Sequence, residues 1–282
     1  MTLGEAYRRG RKILKEAGTE NAAFDAGCLF RRAFGLDLEQ RILRSGEPAD
    51  SEKTRQYCAM ARERAQGRPL QYILGEWPFL GMTLEVGEGV LIPREETELL
   101  VRTAAGMLAD VPSPRGADLC AGSGAVGLGL LSLMPGARVW SVEKYPAALR
   151  YLKRNALRSG LPGLKIVRAD VLEPDSAALL PELDCLISNP PYVRDGEIAG
   201  LQPEVRREPR EALSGGPDGL RFYRAFREIW LKKLKPGGMA AFEVGEGEAG
   251  EVLRIFAGAL EDLRVRKDLN GIARVVSGRK PA

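Results

Sequence analysis

The sequence predicts an α/β fold. It comprises a Rossmann-like sheet, parallel with an antiparallel edge hairpin, plus a small N-terminal helical bundle and a linking β-hairpin. Three observations predict it. From residue 115 onward, short apolar runs alternate with helical stretches, the pattern of a parallel sheet covered by helices. Residues 1–70 instead carry apolar positions at helical spacing. The stretch between them is rich in aromatic and β-branched residues and broken by glycines, as in hairpins. The chain has 282 residues, of which 44% are hydrophobic and 28% charged, so it can bury a sizeable core. The expected domains are 1–74, a helical bundle; 75–92, a β-hairpin linker; and 93–282, the sheet domain.

In chain order, "LGEAYRRGRKILKEAG" places Leu3, Ala6, Tyr7, Ile13 and Leu14 near one face and ends at Gly18. "ENAAFDAGCLFRRAFG" gathers Ala23, Ala26, Cys28, Leu29 and Phe30 and ends at Gly35. "DSEKTRQYCAMARERAQG" opens on an Asp/Ser cap and stops at Gly67. Four or five helices are expected in all. "LQYILGEWPFLGMTLEVGEGVLIP" predicts one or two hairpins. "REETELLVRTAAGMLA" is a helix with acidic residues in its first turn, where the dipole favours them. The strands "GADLCA", "ARVWSVE", "LKIVRAD", "LDCLISN" and "GMAAFEV" then alternate with the helices "GLGLLSLM", "PAALRYLKRNALRSG" and "RFYRAFREIWLKKL". The tail carries Asn-Gly between two strand-like runs, the signal for a closing antiparallel hairpin.

Composition excludes several chemistries. There is no histidine, which removes the commonest general base and the commonest metal ligand. Ser-His-Asp and Cys-His hydrolases are ruled out. The four cysteines, Cys28, Cys58, Cys120 and Cys185, form no CxxC pair, so neither a zinc site nor a disulfide framework is expected. No metal site is expected. The net charge is +4, and the excess lies in residues 1–70, which hold 14 Lys/Arg against 10 Asp/Glu. No apolar run is long enough to span a bilayer. The opening residues lack the apolar core of a secretory signal, so a cytoplasmic protein is expected.

"DLCAGSGAVG" contains Gly122-x-Gly124-x-x-Gly127 between a strand and a helix. Glu143 lies at the end of the next strand, where a carboxylate can hold a ribose diol. That spacing fits a nicotinamide dinucleotide or S-adenosylmethionine. Two further carboxylates favour the second. Asp118, within the strand, can reach an amino group or water near the loop. Asp170, ending the third strand, can accept from an adenine amine. Ligands in such sheets lie beyond the carboxyl ends of the strands.

The fourth strand ends in Ser188-Asn189-Pro190-Pro191-Tyr192. A planar NH₂ group is a poor nucleophile because its lone pair is conjugated, the origin of a rotation barrier of roughly 18–20 kcal/mol in amides. Asn189 supplies a side-chain carbonyl and Pro190 a backbone carbonyl, held still by the proline rings. Together these can accept both N–H bonds and aim the nitrogen at a methyl donor. Tyr192 supplies a ring that can stack on the planar group. Positive charge develops on the nitrogen as the methyl arrives, and acceptors aimed there stabilise the transition state. Water can take the final proton, so no histidine is needed. The same residues also suit an ordinary strand-ending turn.

"NPPY" after a strand, with "DLCAGSGA" before it, resembles the class I methyltransferases that modify planar amines. Within these, the chain resembles the release factor glutamine methyltransferases, the PrmC/HemK family. The likeness runs along nearly its whole length through "PLQYILGEWPFLG", "VLIPREETELLV", "DLCAGSGAVGL", "SNPPYV", "EPREALSGGPDGL", "LKPGGMAAFEVG" and "DLNGIARVV". The resemblance implies transfer of a methyl group from S-adenosyl-L-methionine, leaving S-adenosyl-L-homocysteine. The acceptor is the side-chain amide (N5) of the glutamine in the Gly-Gly-Gln motif of class 1 peptide chain release factors. It implies that the bundle, 1–74, binds the substrate protein. Carried over by residue, Cys120, Ala121, Gly122, Ser123 and Gly124 form the cofactor loop. Glu143 meets the ribose, Asp170 and Val171 the adenine, and Asn189, Pro190, Pro191 and Tyr192 the glutamine. Asn189 also borders the cofactor. Arg94 and Glu98 would shape the cleft, with Arg94 on the substrate side, or be an ordinary helix-start cluster. Val171 stands where relatives often carry an aromatic residue, which weakens adenine stacking. A monomer without membrane association is expected.

Three other functions compete. An amino methyltransferase acting on a nucleic-acid base uses the same trio on a flipped base. It should show a basic face, yet residues 71–282 balance to zero charge, so nucleic acid is not expected as the direct substrate. A nicotinamide dehydrogenase leaves SNPPY unexplained, and a pure binding module leaves an intact site without a purpose. A ribosomal-protein glutamine is separated from a release-factor glutamine only by the family likeness.

Overall fold

The structure is a computed structural model that describes residues 1–282. The chain divides into two compact units, one of residues 1–76 with 202–207, the other of residues 77–201 and 208–282.

The first unit holds α1 (Leu3–Glu16), α2 (Ala22–Phe34), α3 (Leu38–Leu43), α4 (Ser51–Ala65) and α5 (Leu70–Leu74). Caps set their limits: Thr2 and Glu5 form a capping box at the start of α1, and Asp50 caps α4 through the Lys53 amide. Left-handed Gly35 ends α2. In its core Phe30 stacks on Phe34 and meets Tyr57 edge-on. The buried face of α2 differs from the expected one. Ala23 is exposed, and Asp25 takes the inward place. An acid can lie there because Arg64 of α4 pairs with it at 2.6 Å. The same guanidinium reaches Glu204 at 2.7 Å, and Arg207 donates to the Gln66 carbonyl. Those two contacts tie residues 202–207 to this unit. "LQYIL", expected in a hairpin, is the helix α5, closed by left-handed Gly75. Its β-branched content is only one isoleucine, and the proline before it suits a helix start.

In the second unit, β1 (Glu76–Phe79) and β2 (Met82–Glu85) form one hairpin, and residues 86–94 are irregular. Then follow α6 (Glu95–Met107), β3 (Arg115–Leu119), α7 (Ala125–Leu133), β4 (Arg138–Glu143), α8 (Pro146–Ser159), β5 (Leu164–Arg168) and β6 (Leu183–Ser188). A small pair of strands, β7 (Val193–Arg194) and β8 (Ser214–Gly216), flanks α9 (Arg210–Leu213). Last come α10 (Arg221–Ala225), β9 (Leu234–Glu243), α11 (Ala249–Phe256), β10 (Glu261–Lys267) and β11 (Ala273–Arg279).

Seven strands form one sheet in the order β10-β11-β9-β6-β3-β4-β5. The first five in sequence are parallel, and β11 runs antiparallel beside β9, with β10 on the edge. Both faces of the central strands are buried, so their alternate residues enter different cores. Leu186, Ala240 and Phe242 pack on one side with Tyr223, Phe226 and Trp230. Cys185, Ile187, Met239 and Ala241 pack on the other with Leu100, Val101 and Ala104 of α6. The helix expected over "RFYRAFREIWLKKL" is not continuous. After α10 it widens to a π turn, Phe226–Trp230. Trp230 Nε1 there donates to the Val171 carbonyl at 2.8 Å. No helix is long and apolar enough to cross a membrane.

The chain starts the sheet at β3, builds outward to β5, then returns to β6 on the other side of β3. The loops after β3 and β6 therefore lie side by side at the switch point, where such sheets take ligands.

Candidate active site

A cleft opens at that point. Cys120, Ala121, Gly122 and Ser123 line it from the loop after β3, Glu143 from β4, Asp170 and Val171 from beyond β5, and Asn189 and Pro191 from beyond β6. Pro93, Thr97, Lys144 and Tyr145 also line it, and sequence reasoning had not named them.

The glycine loop is shaped by its own backbone. The Ala121 amide donates to the Val142 carbonyl at 3.0 Å and the Gly124 amide to Ala121 at 2.8 Å. Gly122 sits at φ +56, and a Cβ there would meet nothing nearer than the Cys120 carbonyl at 4.0 Å. Its role is therefore conformational, and the space in front of the loop is open. Gly127 differs. A Cβ there would come to 2.5 Å from Ser141 Oγ and 3.0 Å from Asp118 Oδ2, so only glycine lets α7 approach the sheet this closely.

Glu143 is buried at 6% exposure, yet both its oxygens are used. Oε2 accepts from the Gly122 amide at 2.8 Å, and Oε1 from the Tyr145 amide at 2.7 Å. Burial pushes its pKa up, and the backbone donors pull part of that back. Each oxygen retains a lone pair for a hydroxyl. At Asp170, burial works against the charge, but Lys144 at 2.6 Å and the Leu172 amide outweigh it and hold the carboxyl below its ordinary value.

Asp118 does not line the cleft. It is 1% exposed, and Oδ2 accepts from the Gly127 amide at 3.0 Å and Ser141 Oγ at 3.2 Å. Burial raises its pKa to about 7. It braces the start of α7 from beneath, because a side chain within the strand points into the sheet layer rather than over its edge.

At the acceptor end, Asn189 Nδ2 donates to Thr97 Oγ1 at 3.0 Å, and Thr97 Oγ1 donates to Glu243 Oε2 at 2.7 Å. The amide nitrogen is thus committed to α6, which turns the carbonyl oxygen of Asn189 the other way. Pro190 and Tyr192 do not line the cleft. Tyr192 packs against the core cluster, its hydroxyl pKa raised by burial. A Cβ on Gly215 would come to 2.8 Å from the Tyr192 Cα, so the glycines of "SGGPDGL" let that strand pass close under the loop.

Arg94 is not placed as a free substrate ligand. It stands at the N-cap position of α6 without a side-chain cap and pairs with Glu208, a carboxylate 5% exposed that also accepts from the Ile92 amide at 2.9 Å. A buried acid without that guanidinium would be uncompensated, so the arginine is drawn inward. Glu98 accepts from the Leu80 amide at 2.9 Å and pairs with Arg102, holding the turn between β1 and β2. Both belong to the bracing of this segment. Asn155 of α8 was also missed. It is 1% exposed and spans Glu85 in β2 and the Ser123 carbonyl of the glycine loop.

Sheet order, glycine loop and acceptor loop define a class I methyltransferase domain. Residues 5–75 match the PrmC N-terminal domain family, and residues 95–214 match the methyltransferase small domain family. The chain is 38% identical over 272 residues to the release factor glutamine methyltransferase of Geobacter sulfurreducens, covering 95% of this chain and 93% of that one. It is 37% identical over 290 residues to that of Mycolicibacterium smegmatis, covering 99% and 98%. Among solved structures, the 16S rRNA N2 G1207 methyltransferase of T. thermophilus, in complex with AdoMet and guanosine, superposes with a TM-score of 0.52. At 21% identity over 73% of this chain and 49% of that one, it supports the fold alone. The chain belongs to the release factor glutamine methyltransferase family.

Proposed function

We propose that this chain methylates the side-chain amide nitrogen of the glutamine in the Gly-Gly-Gln motif of class 1 peptide chain release factors, using S-adenosylmethionine. One observation carries the reading. The Asn189 amide is fixed by Thr97 so that its carbonyl faces away from α6, within a cleft shared with the glycine loop.

The cleft residues fit this cofactor. Two strand-end carboxylates, Glu143 and Asp170, offer acceptors to a ribose and an adenine amine, Val171 offers an apolar wall, and the space before Gly122 is open. When bound, S-adenosylmethionine would supply a methyl group on a positively charged sulfur that leaves as a neutral thioether. Asn189 Oδ1 accepts an N–H bond of the substrate amide and turns its lone pair toward the methyl position. This acceptor strengthens as the nitrogen gains positive charge, so it acts on the transition state more than on the ground state. The nitrogen's proton then passes to water. The helical unit grips the factor.

The test is transfer of labelled methyl from S-adenosylmethionine to a purified release factor. A factor with Gln→Asn in its Gly-Gly-Gln motif is the control. Label is expected on the glutamine factor only. Label on both factors, on ribosomal protein or on nucleic acid would overturn the reading.

A further inference from the structure

We propose that Glu243 and Thr97 form a hydrogen-bond relay that decides which way the Asn189 amide faces, so that the acceptor site operates only while Glu243 is ionised. The proposal rests on the planar-amine reading of the site given above, and concerns how that site is regulated.

The three residues come from distant parts of the chain. In the sheet, Ser188 of β6 pairs with Phe242 of β9, so Asn189 and Glu243 are the next residues on neighbouring parallel strands. Thr97 lies above them on the first turns of α6 and is 2% exposed, as is Glu243. A hydroxyl has one proton to give. With Glu243 ionised, Thr97 donates to it at 2.7 Å, and the Thr97 oxygen can then only accept from Asn189 Nδ2, at 3.0 Å. The Asn189 carbonyl must face the other way, toward a substrate NH₂. With Glu243 protonated, the chain can run backward. The carboxyl donates to Thr97, and Thr97 donates to Asn189, which must turn its oxygen inward. The Asn189 NH₂ then faces the substrate NH₂, and two donors meet.

The surroundings make this proton easy to gain. Burial pushes the Glu243 pKa up to about 7, and the Thr97 hydroxyl pulls against that. The charged neighbours are Glu96, which raises it, and Arg274 and Arg94, which lower it. Neither arginine is free to neutralise it. Arg94 pairs with Glu208, and Arg274 with Asp268 at 3.0 Å. Tyr192 and Tyr223 face the same pocket with their hydroxyls protonated, and the Tyr223 hydroxyl donates to the main-chain oxygen of Glu243, leaving the carboxylate to Thr97.

The experiment measures methyl transfer to an intact release factor in single turnover across about pH 6 to 9, with wild type, Thr97→Val, Thr97→Ser and Glu243→Gln. Wild-type rate should fall toward tenfold per pH unit below about 7 and level off above it, as for a required base form. Glu243→Gln should flatten that limb and lower the plateau by roughly two- to tenfold, because a neutral amide allows both directions of the relay. Thr97→Val should lose roughly 10- to 100-fold with a flat profile, and Thr97→Ser should restore both rate and limb. S-adenosylhomocysteine affinity should stay near wild type in all three. Asp118 and Glu248 are also raised to about 7, so a limb that persists in Glu243→Gln belongs to them and overturns the relay. A full rate in Thr97→Val overturns it equally. If the release factor takes no label at any pH, the substrate reading fails by itself. The relay is then decided by the Asn189 side-chain ¹⁵N–¹H resonances. They should shift through a midpoint near about 7 in wild type and not in Glu243→Gln; no such difference would sink it.

Discussion

The two loops that meet at the centre of the sheet are built by different means. The glycine loop after β3 is positioned by its own backbone and by neighbours close in sequence: Ala121 on Val142, Gly124 on Ala121, and Gly122 on Glu143. The acceptor loop after β6 depends on side chains from two remote elements, Thr97 on α6 and Glu243 on β9. The first rests on β3, β4 and the neighbouring helix α8, whose Asn155 donates to the Ser123 carbonyl at 2.9 Å. The second exists only when α6 has docked across the finished sheet. A backbone-built site fails through shape. A relay-built site keeps its shape and fails through polarity. The comparison predicts that lesions in the two loops separate cleanly into binding and chemistry.

Asn189→Ala should give the largest effect. The variant loses the side-chain carbonyl of the loop, and by analogy with removal of one oxyanion-hole donor the rate should fall by about 10²–10³. Affinity for S-adenosylhomocysteine should stay within about twofold, since alanine removes no group that holds Gly122 or Glu143. Isothermal titration alongside single-turnover transfer measures both. Loss of cofactor binding in step with the rate would break the division between the loops.

Glu143→Gln is the mirror case and should be smaller. Both carboxylate oxygens accept from main-chain amides, Gly122 at 2.8 Å and Tyr145 at 2.7 Å. A glutamine can accept from only one of them, and its NH₂ must face the other. An unsatisfied donor pair costs about 1–3 kcal/mol, so cofactor affinity should weaken roughly 10- to 100-fold. Single-turnover rate at saturating cofactor should change little. A variant with normal affinity and a lost rate would place Glu143 in the chemistry instead.

Legibility in the sequence follows the same division. The strand-helix alternation, the edge hairpin and the Gly122–Gly124–Gly127 loop were readable because each rests on contacts a few residues to a few tens of residues apart. Glu143 was readable for the same reason. Thr97 and Glu243 were not. A threonine in a first helical turn and a glutamate at a strand end are ordinary residues, and their meaning lies in a register between β6 and β9 that no local pattern encodes. Arg94 was assigned toward the substrate because its partner, Glu208, is more than a hundred residues away. Asp25 was missed on the buried face of α2 because its compensating charge, Arg64, lies on another helix. Asp118 was placed in the cleft because strand-end carboxylates commonly are; at a position before the strand's end, it faces the layer beneath.

The smallest effect sharpens the comparison from the other side, because Asp118 is the buried charge on which the backbone-built loop rests. Its carboxyl is raised to about 7 by burial, against the pull of the Gly127 amide and Ser141. A group whose folded pKa lies above its unfolded value adds stability that is fully present below the unfolded pKa, near 3.8, and is lost as pH rises through about 7. Wild type should therefore lose stability between about pH 4 and 7, with Glu243 and Glu248 adding to the slope. Asp118→Asn keeps an oxygen for the Gly127 amide and carries no charge at any pH. Its amide nitrogen falls where Oδ1 already lacks a partner, so little is lost at low pH. At about pH 8 the variant should melt roughly 5 °C higher than wild type, and at about pH 4 the two should nearly coincide. Thermal melting of the sheet unit at the two pH values measures this. An equal shift at both would mean that packing, not the buried charge, sets the stability of the glycine loop.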